Sequence, residues 1–414
     1  MAYDQITLKN GLRVIGEKMP AFRSVSVGLW VETGSQYETP HEHGVSHFIE
    51  HMLFKGTKNR TARDIAEEMD AVGGQLNAFT SKECTCFYAK VVDEHVRLAM
   101  DILADLVVRP VFDPVEMEKE KGVVLEEIDM SEDTPEDLVH DILMLAHYGD
   151  QPVARPILGT ADSVRAFTRD QVVEYWQRMY RPENAVLAVA GSYDWNQIVE
   201  LATEFMGSWE KGSFVPPEFV THEVKPTILR REKDIEQANI CLGYPGLATG
   251  DPMSYECSLF CSVYGGAMSS RLFQKIREES GLAYSVYSYP NAYTDCGMIS
   301  VYAATNPENA LTVCDMIREE TARLVKDGLT LDEFTKAREQ LKSGFILGQE
   351  STSSRMHAAG RRLLLMGTTR TEDEVIARVN AMEYSATNEL MSRLLGAEPS
   401  YAVVSRDANQ LKLF

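Results

Sequence analysis

No stretch of this 414-residue sequence reaches the roughly 18 consecutive apolar residues that a membrane-crossing helix needs. No transmembrane helix is therefore expected. The opening residues, Met1-Ala2-Tyr3-Asp4-Gln5-Ile6-Thr7, lack the basic and apolar regions of a signal peptide and read as a first strand. Cysteine is sparse: seven residues, an odd number, scattered without the paired spacing of a zinc ribbon. Cys84 and Cys86 share one face of a strand-like run. Buried free thiols in a reducing, cytoplasmic compartment are expected. Positive charge is also short. Lys and Arg total 41 against 62 Asp and Glu, a net −21, which argues against nucleic acid and anionic membrane surfaces as partners. Basic peptides suit such a surface, although plain solvation of acidic side chains accounts for it too.

What is present describes a globular chain, 44% hydrophobic and 25% charged, and too long for one ordinary core. Residues 5–19 and 24–33 read as strands, with Asn10-Gly11 as a hairpin turn. Thr61–Ala71 reads as a helix capped by Thr61 and ended by Gly73-Gly74. Strand candidates at 75–81 and 85–90 precede an amphipathic helix from Asp93 to Val107. Asp113-Pro114-Val115-Glu116 combines a cap, a proline at the first helical position and an early glutamate; the helix it starts runs to Thr134-Pro135, where another begins. Helices are expected at 169–181 and 195–206, with a buried strand at 185–190 between them. The stretch 212–226, with Pro216-Pro217, is the linker candidate. It divides the chain into an N-terminal domain, 1–211, and a C-terminal domain, 227–414. The halves resemble each other: Val25 onward matches Ala238 onward, and Asp93 matches Asn306, which suggests a duplicated αβ unit.

The chemistry concentrates at His47-Phe48-Ile49-Glu50-His51. Histidines four apart on a helix share a face and can bind one metal ion. Two imidazoles suit zinc, which accepts a carboxylate as third ligand and, when catalytic, keeps a position open for water. Glu50 stands beside that pair and can take a proton from such a water. The order H-x-x-E-H is an inverted form of a zinc-protease signature. Gly56 is a plausible stop for this helix. His41 and His43, in the loop before it, are further candidate ligands but read more readily as bystanders. In the duplicate, His47, Glu50 and His51 correspond to Phe260, Val263 and Tyr264, so the second half carries no metal site.

The segment from Gly44 to Thr57 resembles the zinc-site helix of the pitrilysin family, the inverted-zincin metallopeptidases that include insulin-degrading enzyme and mitochondrial processing peptidase. The resemblance implies an α+β fold of two duplicated αβ domains, each a mainly antiparallel sheet packed with helices, and one Zn2+ per chain. It implies that His47, His51 and Glu127 hold the metal, Glu127 lying about 76 residues after His51. Glu126 is the neighbour that could be confused with it, but adjacent helical residues point about 100° apart. The resemblance makes Glu50 the general base and Glu120, two turns before Glu127, a residue that orients a ligand or tunes the metal. It implies that Asn77-Ala78 belong to an exposed edge strand to which substrate backbone adds. Arg277 and Tyr284, seven apart, match the family's arginine–tyrosine pair, which binds substrate backbone and supports the oxyanion.

The expected activity is therefore zinc-dependent endopeptidase action on short or unfolded peptides. Long family members hold four αβ units where this chain holds two, so a homodimer is expected, or a heterodimer with a paralogue. The alternatives are a non-catalytic structural subunit of the same fold and a zinc-dependent peptide-binding protein.

Overall fold

The computed structural model describes residues 3–213, 215, 217, 219–221 and 225–411. Its first half carries strands β1 (Asp4–Thr7), β2 (Arg13–Lys18) and β3 (Ser24–Val31), then helices α1 (Val45–Leu53) and α2 (Ala62–Ala71). Strands β4 (Gln75–Thr80) and β5 (Thr85–Val92) follow, then α3 (Val96–Val108), α4 (Pro114–Asp133), α5 (Pro135–Tyr148), α6 (Ala161–Ala166), α7 (Arg169–Met179), β6 (Ala185–Gly191) and α8 (Trp195–Met206). The second half carries β7 (Ile228–Glu232), β8 (Ala238–Pro245), α9 (Ser254–Cys261), β9 (Ala283–Ala292) and β10 (Gly297–Thr305). It continues through α10 (Ala310–Asp327), α11 (Leu331–Gly348), α12 (Thr352–Met366), α13 (Glu372–Asn380), α14 (Tyr384–Leu395) and β11 (Ser400–Ser405). Among the described residues no helix is long and apolar enough to cross a membrane.

Two compact units form, and neither is continuous in sequence. The first takes Met1–Ile128, Pro156–Glu218 and Ile346–Asp373; the second takes Asp129–Arg155, Phe219–Phe345 and Glu374–Phe414. The linker candidate, 212–226, spans the passage from Glu218 to Phe219, but Phe214, Pro216, Glu218 and His222, Glu223 and Val224 lie outside the described residues. Helix α5 thus belongs to the second unit and α12 to the first.

The first unit is a six-stranded sheet in the order β1-β2-β6-β3-β5-β4, antiparallel except for the β2–β6 pair. Its strands alternate. Val25, Val27, Leu29 and Val31 of β3 join the larger core together with Phe48, Ile49, Met52 and Leu53 of α1, each such burial being worth about 1.5–3 kcal/mol. Trp30, on the opposite face, packs with Cys84, Cys86 and Met356 and Leu363 of α12. The approach of α12 is close: a Cβ on Gly360 would sit 2.2 Å from the Trp30 indole nitrogen, so only glycine fits there. All seven cysteines are free.

The second unit repeats this plan in five strands, β7-β11-β8-β10-β9, again with one parallel pair, β7–β11. Strands β3 and β5 and helix α3 begin at residues 24, 85 and 96; β8, β10 and α10 begin at 238, 297 and 310. Each pair is separated by 212–214 positions, so the duplication extends through the topology. Where the first half has His47 and His51, the second has Phe260 and Tyr264, both fully buried in its apolar core.

Candidate metal centre

Helix α1 is anchored at both ends. Its N-cap is Gly44, at φ +89°, a conformation suited to glycine and one that offers no capping side chain. The cap comes instead from Glu38, whose carboxylate accepts the Gly44 and Ser46 amides at 2.7 and 2.8 Å. Burial pushes the Glu38 carboxyl up to about 7, against the pull of these amide bonds. The Ser46 hydroxyl lies 2.9 Å from that of Tyr175, itself 2.9 Å from Thr33 Oγ1. The helix ends at Leu53 with Phe54 as its C-cap, so Gly56 is not its stop. Gly56, at φ +126°, instead bridges to Thr61. The following loop is tied to the fully buried Asp105, which accepts from Thr57, Asn59, Arg60 and Arg109.

One helical turn then sets His47 and His51 side by side, with Glu127 of α4 across from both. The Glu127 Oε2 atom lies 3.5 Å from Nε2 of each histidine, and one ligand atom from each of the three residues falls within 4.8 Å of the others. Ligand atoms about 2.0–2.1 Å from a tetrahedral zinc stand roughly 3.3–3.5 Å apart, so the spacing fits that ion. The protonation state of His47 fits as well. Burial, followed by the neighbouring His51, pushes His47 down to about 4, which keeps it in the neutral form that binds metal. At His51 burial acts downward but is outweighed by Glu120, Glu127 and Glu50, and its pKa rises. His51 Nδ1 bonds Glu120 Oε1 at 2.8 Å, which fixes the tautomer and leaves Nε2 for the metal. Glu126 is exposed and stays out of the cluster. His41 is exposed, and His43 contacts the Pro156 carbonyl; neither joins it.

Glu120 is 3% exposed and is no surface carboxylate. Besides His51 it pairs with Lys55 Nζ at 2.6 Å. Burial acts upward on its pKa, but the His51 and Lys55 contacts prevail and lower it. Glu50 accepts the Thr80 hydroxyl at 2.5 Å. Burial raises its pKa above the ordinary 4.5, opposed by the Thr80 bond. Thr80 is the last residue of β4, and β4 is the sheet's edge, paired on one side only, with β5. Asn77 and Ala78 lie on that strand, and the Ala78 amide is capped by Asn77 Oδ1 at 2.8 Å.

Arg277 and Tyr284 meet in the second unit. The guanidinium, on the π-helical segment Phe273–Glu279, lies 4.6 Å from the Tyr284 ring centre and 4.7 Å from that of Phe273. Tyr284, near the start of β9, is 75% exposed. Sequence reasoning did not find Glu38, Lys55 or Thr80. Each acts through a partner that no local pattern marks, 30 positions away in the case of Thr80 and Glu50.

Residues 13–161 match insulinase, peptidase family M16, and residues 166–341 match the peptidase M16 inactive domain. A protein from Bacillus subtilis described as an uncharacterized zinc protease is 44% identical over 97% of this chain and 98% of its own. Another so described, from Mycobacterium tuberculosis, is 40% identical over 100% of this chain and 95% of its own. Among solved structures, a protease from Helicobacter pylori superposes with a TM-score of 0.90 at 20% identity, covering 98% of this chain and 99% of that one. A Pseudomonas fluorescens structure described as a peptidase M16 inactive domain gives 0.91 at 19%, covering 98% of both. At these identities the two structures speak for the fold.

Proposed function

The chain belongs to peptidase family M16, and on that basis we propose that it is a zinc endopeptidase that hydrolyses peptide bonds in short or unfolded chains. The observation that carries this reading is the convergence of His47, His51 and Glu127 at zinc-ligand spacing, with Glu50 half-buried and tethered to β4 on the helix that carries the two histidines. Relatives described as zinc proteases support it.

A zinc ion held by these residues supplies a Lewis acid for the scissile carbonyl and acidifies its bound water. The remaining work falls to side chains of this chain. Glu50 takes a proton from the attacking water and delivers it to the leaving amine; its raised pKa makes it the stronger base. Thr80 holds the carboxylate in place, and Glu120 holds the His51 ring. Substrate backbone adds to the open side of β4, displacing Asn77 Oδ1 from the Ala78 amide. Arg277 and Tyr284 act on bound substrate, which agrees with the exposure of the tyrosine and the cation–π contact that orients the pair.

The test is metal content. His51→Ala and Glu127→Gln should each lose most bound zinc, measured by atomic absorption after dialysis against a weak chelator. Full occupancy in both would remove the ligand assignment.

A further inference from the structure

The second unit holds a cavity of about 480 Å³ that the peptidase reading does not use. The size is that of a small-ligand pocket. Its wall includes His147 at the end of α5, Asp295 before β10 and Ser400 at the start of β11. His147 and Ser400 are 7% and 1% exposed. Among the described residues of the wall His147 Nδ1, Tyr148 Oη, Ser400 Oγ and Asp295 Oδ1 are buried without a hydrogen-bond partner. The other Asp295 oxygen accepts the Thr221 hydroxyl at 2.6 Å. A buried polar atom left unpaired costs about 1–3 kcal/mol, and four on one cavity wall point to something that fills it.

The chemistry of the wall narrows what that is. Burial pushes His147 down to about 4, so its imidazole is neutral and offers a nitrogen lone pair. The described lining holds two carboxylates, Asp295 inside and Glu398 at the exposed rim, and neither lysine nor arginine. Among the described residues the lining brings no three His, Cys, Asp or Glu atoms together as His47, His51 and Glu127 do, so its chemistry is read without a metal ion. An acidic cavity whose unpaired atoms are a carboxylate oxygen, an imidazole nitrogen and two hydroxyl oxygens matches a group with one positive charge and several N–H donors. We propose that this cavity binds a primary ammonium group, carried by a lysine side chain or by a free alkylamine. Asp295 supplies the countercharge, and His147 and Ser400 take the remaining N–H donors.

The test is calorimetric titration of the full chain with Nα-acetyl-lysine amide, n-butylammonium and tetramethylammonium. Glu50→Gln is included to confirm that binding does not depend on turnover. Saturable binding of at least one primary amine is expected, at least tenfold weaker in Asp295→Asn and unchanged in Glu50→Gln. Tetramethylammonium, which has the charge but no N–H, should not bind. Preference for the lysine amide assigns the ligand to peptides; equal binding of both amines assigns it to free amines. Ser400→Ala provides a second variant should Asp295→Asn fail to fold, and it should weaken the same binding. The proposal is overturned if neither amine saturates, if tetramethylammonium binds equally, or if binding survives the folded variants unchanged.

Discussion

Glu333 illustrates how a single carboxylate ties pH to stability in this chain. Arg271 holds it through two bonds of 2.8 Å, and the Thr330 amide and hydroxyl add two more. The Arg271 bonds, largest of these effects, pull its pKa down to about 2 from an ordinary 4.5. A depressed carboxyl stabilises the folded state above its unfolded pKa and loses that contribution as it is protonated. The loss therefore falls between about pH 4.5 and pH 2. Glu333→Gln should lower stability at neutral pH and flatten its decline across that window, as followed by urea unfolding at a series of pH values. Parallel acid profiles for the two proteins would contradict this. At the metal centre the same scale separates what could be read in advance from what could not. Residue type and spacing were enough to single out His47, Glu50, His51 and, through the family resemblance, Glu127 and Glu120. Glu38 and Thr80 were not legible, because a cap eight positions from Ser46 and a hydroxyl on a distant strand leave no periodic trace.

Among the elements, β4 carries the most weight in the proposed mechanism. Its open side presents the Ala78 amide, covered only by its neighbour's side chain, and a peptide can claim that amide as an added strand. Ala78→Pro deletes the donor on the side away from β5, where proline is tolerated at a sheet edge. It should lower kcat/KM by about five- to tenfold, the worth of one hydrogen bond, with zinc content and melting temperature nearly unchanged. Normal kinetics in the folded variant would rule out strand addition at this position. Local signals placed many elements well: the Asn10-Gly11 hairpin, the Thr61 cap on α2, the Asp113 cap on α4 and α8. They could not assign α5 and α12 to their sheets. An apolar stripe says that a helix is covered, not by which strands. The stripe of α12 meets β2, β3 and β6, more than 150 positions earlier in the chain.

For the molecule as a whole, duplication leaves one candidate metal centre among the described residues, and we propose that a homodimer forms the working enzyme by enclosing the open side of β4. Light scattering should give twice the 46.4 kDa chain mass, and the protein should cut a polypeptide when unfolded while sparing its folded form. A fully active monomer would contradict the enclosure, though not the chemistry. The chemistry is tested most directly by one comparison: zinc content and turnover of an unfolded polypeptide, measured side by side for the wild-type chain and Glu50→Gln. The account predicts equal zinc in both and a loss of about 10²–10⁴-fold in kcat for the variant. Equal zinc with near-normal kcat would contradict it.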